Sequence, residues 1–161
     1  MFSRQLQTII IIQNEPKMKL FILFFLIILI PACAMDYSCS SQIKNISSHQ
    51  VNISIVYNRD KLDSLYNYNR ESYLIYLKNL NEESGLPYNL DTITLISNYI
   101  LPVNKNLRVD HNVGGRGVTP DHSLIKEIKI WSFNKTIVYN HYSLDTAFKE
   151  VNSGIWELTI R

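Results

Sequence analysis

Cysteine is nearly missing from this chain. Of 161 residues only two are Cys, Cys33 and Cys39, and none follows position 39. A disulfide framework within the body of the protein is therefore excluded, and thiol chemistry is confined to the N-terminal region. Glycine and proline are also scarce, at five each, which rules out collagen-like and low-complexity classes. Charge of either sign is modest. Sixteen basic and fourteen acidic side chains give a net +2, too little to attract a polyanion, so no nucleic-acid partner is expected. No apolar run approaches the roughly 20 residues that a membrane-spanning helix needs. The G-x-S-x-G, H-E-x-x-H, G-x-G-x-x-G and P-loop signatures are all missing. The length suits one domain, or one domain with a targeting segment.

The strongest positive feature lies near the N-terminus. Lys17 and Lys19 flank Met18, and Leu20 to Ile30 is an unbroken apolar stretch followed by Pro31-Ala32-Cys33-Ala34. A basic n-region, a short apolar h-region and small residues after it are the parts of a secretory signal peptide. Gln13 to Lys17 stops the apolar stretch from reaching back to Ile9–Ile12. Reading from Met18 puts the basic residue where a signal peptide wants it, so residues 1–17 read as an upstream extension and 18–32 as the signal peptide.

Ile30-Pro31-Ala32-Cys33 resembles a bacterial lipobox: an aliphatic residue, a tolerated residue, a small residue, then Cys. In that family the Cys is acylated through a glyceryl group and the leader is cut before it. The resemblance implies lipidation of Cys33 and a membrane partner through the lipid anchor, since several acyl chains hold a protein stably where one holds it only marginally. It places the protein in the cell envelope, on the outer membrane or the periplasmic face. The alternative is a small-x-small site, Ala32-Cys33-Ala34, cut after Ala34 to release a soluble secreted domain.

Removing residues 1–32 takes away Arg4, Lys17, Lys19 and Glu15, leaving 13 basic and 13 acidic side chains. The working part is charge-balanced. Residues 33–50, Ser-rich and without periodicity, read as a tether, and 51–161 as a globular β-rich domain.

Within that domain Val51, Ile53 and Ile55 alternate with polar residues as in a half-buried strand. Tyr73, Leu74, Leu77 and Leu80 recur at helical spacing, with Asn69 as cap and Gly85 and Pro87 as terminators. Asp91–Val103 and Leu107–Val109 read as strands, and Leu124–Trp131 with Lys135–Tyr139 as a hairpin. Ile128 and Ile130 point one way, Lys129 and Trp131 the other. Leu144–Val151 reads as a short helical turn, and Gly154 opens a last strand, Ile155–Ile160. The expected fold is α+β and β-rich: an antiparallel sheet or sandwich with one clear helix.

Candidate sites are few. Asp110-His111 and Asp121-His122 repeat an Asp-His pair around a glycine loop, and these residue types suit a metal-dependent hydrolase or general-base work. Polar loop residues explain the same composition, and neighbours on a strand face opposite ways. Gly114-Gly115-Arg116-Gly117 is a candidate contact loop within 105–122. Trp131, Trp156, Tyr139 and Tyr142 are candidates for an aromatic platform for glycan or peptide, set against core packing. Asn45, Asn52 and Asn134 head formal N-glycosylation triplets. Nothing calls for a cofactor, and the expected role is a non-enzymatic binding or structural module with a protein or glycan partner. Leu124–Trp131, Ser143-Leu144 and Phe148 together resemble stretches of small lipoproteins of unknown function from AT-rich bacteria such as Bacteroidetes, a resemblance that implies the lipoprotein context alone.

Overall fold

The computed structural model describes residues 37–132 and 135–161. The leader, Cys33 and residues 133–134, with Asn134 of the third glycosylation triplet, lie outside the described residues. Among the described residues no helix is long and apolar enough to cross a membrane.

Among the described residues, nine strands form two sheets. The first has the order β5-β1-β9-β8 and the second β3-β4-β2-β6-β7. Strand β1 (Tyr37–Asn45) runs antiparallel to β5 (Asn106–Gly114) and parallel to β9 (Ile155–Ile160), whose outer neighbour is β8 (Lys149–Asn152). The second sheet is antiparallel throughout. It comprises β2 (Val51–Tyr57), β3 (Tyr88–Asp91), β4 (Ile96–Leu101), β6 (Ile125–Ser132) and β7 (Lys135–Asn140). The β-rich α+β reading therefore holds, with one parallel pair among the antiparallel ones.

The helices number three among the described residues rather than one. Helix α1 (Arg59–Leu65) buries only Leu62, which is too little periodicity to announce a helix. Helix α2 (Arg70–Glu83) is the one its spacing predicts. The Asn69 side chain accepts from the Ser72 N–H, Tyr73, Leu77 and Leu80 face inward, and Gly85 follows its end at φ +65°. Helix α3 (His141–Ala147) starts three residues earlier than the expected Leu144–Val151 turn because Asn140 caps it, accepting from the Ser143 N–H.

Two stretches depart from expectation. Residues 37–45 are not a tether: β1 is a central strand with Cys39, Ser41, Ile43 and Asn45 all buried. Its inward positions are mostly small or polar, which disguises the alternation. The expected strand over 91–103 is broken by a turn, because the Asp91 carboxylate accepts from the Ile93 and Thr94 N–H groups and from the Thr94 hydroxyl. That side-chain closure overrides the strand preference of Thr and Ile. Leu95 leaves the turn at φ +58° with its side chain fully inside.

One continuous core joins both sheets and the helices. Ile43, Leu107 and Leu158 come from the first sheet, Ile53, Ile55 and Ile128 from the second, Leu77 from α2 and Leu144 from α3. Asn45 ties the ends together from inside. Its amide donates to the His49 and Leu101 carbonyls while its oxygen accepts from the Ser47 N–H and hydroxyl.

Candidate functional site

The two Asp-His pairs are sorted by a β-bulge. The β1–β5 register shifts so that Ser41 faces Asp110 while Gln42 faces Arg108. The extra residue lets Val109 and Asp110 both turn inward, and His111 is left exposed on the other side. Asp121 is exposed, and its carboxylate accepts from the Ser123 N–H to cap a short 3-10 turn, His122–Leu124. His122 turns inward. Asp110 and His122 thus meet in the interior, and His111 and Asp121 do not join them. Among the described residues no group of three or more His, Cys, Asp or Glu side chains is placed to hold a metal ion.

Asp110 accepts the Asp121 backbone N–H at 3.2 Å. Burial raises its pKa above the usual carboxylate value, and that N–H and the nearby His122 ring pull it back part of the way. The Cys39 thiol, fully buried in β1, is also raised, first by desolvation and then by the Asp110 charge. It is held as a protonated thiol, inert rather than nucleophilic.

His122 is the centre of a network that its sequence neighbours do not reveal. Its Nε2 lies 2.8 Å from the Ser41 hydroxyl and its Nδ1 lies 2.8 Å from the Asp145 carboxylate. The ring stacks on Phe148 at 4.7 Å between centroids. The Asp145 carboxylate at Nδ1 and the Ser41 hydroxyl at Nε2 hold the ring from both sides. This is the hydrogen-bond order of a Ser-His-carboxylate nucleophile. Its exposure is reversed, however. Ser41 has no exposed surface and the Asp145 side chain is 76 % exposed. A depression of about 290 Å3 reaches His122, Asp145 and Trp156, and Ser41 is not part of its wall. A nucleophile sealed inside a central strand meets no substrate carbonyl. The network is a clasp joining β1, the 3-10 turn and α3. Ser41 and Asp145 carry no local sequence signal for this role, since Ser41 sits 81 positions from His122.

The glycine loop is smaller than the expected 105–122 surface, because β5 occupies 106–114. Gly114 ends that strand, and Gly115, Arg116 and Gly117 form a tight exposed turn in which the Val118 N–H donates to the Gly115 carbonyl. Gly117 sits at φ +85°.

The four candidate aromatics do not form one platform. Trp156 and Tyr139 pack against the core, and Tyr142 projects from α3 with 89 % exposure. Trp131 lies on the outer face of the second sheet, 39 % exposed. The β6 alternation already placed it opposite Ile128 and Ile130, so its outward position was legible. Strand registers set Ile100, Asn52, Trp131 and Thr136 in one row across four strands. Trp131 borders two depressions. One, of about 770 Å3, is walled by the Ser48–Gln50 turn, Asn52, Pro102, Val103, Ser132, Lys135 and Thr136. The other, of about 470 Å3, is walled by Asn52, Pro87, Tyr88, Asn89, Asn98 and Ile100 among others. Of the glycosylation triplets, Asn45 is fully buried and Asn52 is exposed on this face.

No family model, curated protein or solved structure matches the chain.

Proposed function

We propose that the chain is an exported lipoprotein of the cell envelope, tethered through Cys33, whose folded domain is a non-enzymatic binding module. The observation that carries the binding reading is Trp131, a large indole 39 % exposed on the outer face of β6, a strand paired on both sides. Burying such a ring on a partner is worth far more than leaving it wet. The sealed Ser41 and the outward His111 leave neither constellation of catalytic residue types fit to act on a substrate.

The tether rests on the Lys17–Cys33 leader. Strand β1 opens at Tyr37, so at most about 14 Å of chain separates Cys33 from the fold. A domain so closely anchored works at the membrane surface rather than at the end of a long arm. Cleavage after Ala34, which the Ala32-Cys33-Ala34 triplet favours, would instead release it.

Metabolic labelling with an alkyne fatty acid in a bacterial host separates these outcomes. Label is expected on the wild-type chain in the membrane fraction and absent from Cys33→Ser. Wild-type chain without label, or label unchanged in Cys33→Ser, refutes the lipid anchor.

A further inference from the structure

We propose that the outer face around Trp131 binds a neutral saccharide chain; this rests on the binding-module reading and names its ligand class. Three observations lead there. The first is charge. Among the described residues, Lys135 is the one Asp, Glu, Lys or Arg side chain bordering the larger depression, where His49 also stands, and the smaller is bordered by none. A polyanion would want a cluster of cations and a cationic ligand would want carboxylates. Neither is provided, so the fitting ligand is polar and uncharged.

The second is chemistry. Asn52, beside Trp131 in the register, and Thr136, on its other side, offer an amide and a hydroxyl within reach of the ring. Asn89 and Asn98 face each other in the β3–β4 register, and both border the smaller depression. An amide both donates and accepts, which matches a vicinal hydroxyl pair. A pyranose ring also carries a flat patch of C–H groups with partial positive charge, which suits the negative face of an indole. Ile100, 51 % exposed in the same row, extends the apolar strip.

The third is backbone geometry. Trp131 lies on β6, paired on one side with β2 and on the other with β7. The ladder N–H and C=O groups beside it are therefore already used. A peptide that binds by adding a strand needs an open edge, and this is a face. The two depressions flanking Trp131, at about 770 and 470 Å3, fall in the ligand-pocket range and suit a chain of several sugar units crossing the indole.

The test uses the full-length chain in mild detergent on an array of neutral glucose-, mannose-, galactose- and N-acetylglucosamine-based oligosaccharides, beside heparin and a random peptide array. At least one neutral chain is expected to bind, with affinity little changed between low and high salt. Trp131→Ala should weaken it about tenfold or more, and Asn52→Ala should weaken it less. Trp131→Phe should restore part of the binding, and Tyr142→Ala should leave it intact. Absence of neutral-glycan binding, or binding that Trp131→Ala leaves unchanged, overturns the proposal. Salt-sensitive binding to heparin alone overturns the neutral class. Trp131-dependent capture on the peptide array alone overturns the saccharide while keeping the binding module. Absence of any Trp131-dependent binding on all three overturns both.

Discussion

The Ser41 hydroxyl and Nε2 of His122 share a hydrogen bond at 2.8 Å, closing a link between a central strand and a turn that lie 81 positions apart in the chain. Asp145 holds the opposite nitrogen of the same ring. Because both Ser41 and His122 are buried, the bond is expected to contribute to stability rather than to catalysis. His122→Ala should cost about 2–4 kcal/mol, through the lost ring and its stack on Phe148, and Ser41→Ala about 1–2 kcal/mol. Urea denaturation of the double variant should show a loss smaller than the sum, since either change alone breaks the bond. Additive losses would deny the coupling. A serine-directed fluorophosphonate should leave Ser41 unmodified in the native protein.

Asp110 is buried with its pKa raised, so the sign of its linkage runs opposite to that of a salt-bridged carboxylate. Between its ordinary value of 3.8 and its folded value the native state holds the proton more tightly than the unfolded chain. Its contribution to stability is present in acid and lost as pH rises through the folded pKa. Asp110→Asn should remove that slope and be at least as stable as wild type near neutrality, since the amide oxygen still accepts the Asp121 N–H. Urea midpoints across pH 4–7 for both proteins check this. Parallel slopes would show that Asp110 is not the group responsible.

Gly154 sits at φ +74° between β8 and β9, and a Cβ there would stand 2.6 Å from the Ser38 carbonyl oxygen. That carbonyl belongs to β1, whose Ser40 N–H also donates to the Gly154 carbonyl. Gly154→Ala combines backbone strain with a backbone clash and should lower stability by about 2 kcal/mol or more. A fall in the urea midpoint reads it directly, and an unchanged midpoint would contradict the close approach.

Asn45 is fully buried and makes four side-chain hydrogen bonds. Asn45→Ala removes the buried amide donor to the Leu101 and His49 carbonyls and the acceptor of the Ser47 N–H and hydroxyl, and should cost about 2–3 kcal/mol. Asn45→Asp should be worse at neutral pH, where a carboxylate would face those carbonyls, and should recover part of the loss in acid. Thermal melts at two pH values distinguish the pair.

What the sequence reveals follows from whether the inward positions are apolar. Strands β2 and β9 and helix α2 place Ile, Leu and Tyr inward at the expected period, and Asn69 marks the start of α2. Strand β1 shows only Ile43 as a strongly apolar inward residue. Ser41 and Asn45 are acceptable there because His122 and Leu101 satisfy them from distant parts of the chain, and no local pattern carries that information. The Asp-His pairs are visible, but a bulge opposite Ser41 and the 3-10 turn that Asp121 caps decide which members turn inward. Trp131 could be assigned outward from its neighbours, whereas the amides around it gather only through strand pairing.

The central claim, an envelope domain held by lipid at Cys33, is tested most directly by the intact mass of the mature chain purified from bacterial membranes. The account predicts a chain beginning at Cys33 and heavier than its sequence by a diacylglyceryl group, with or without a third acyl chain. An unmodified chain beginning at Met35, or one retaining the residues before Cys33, would contradict it.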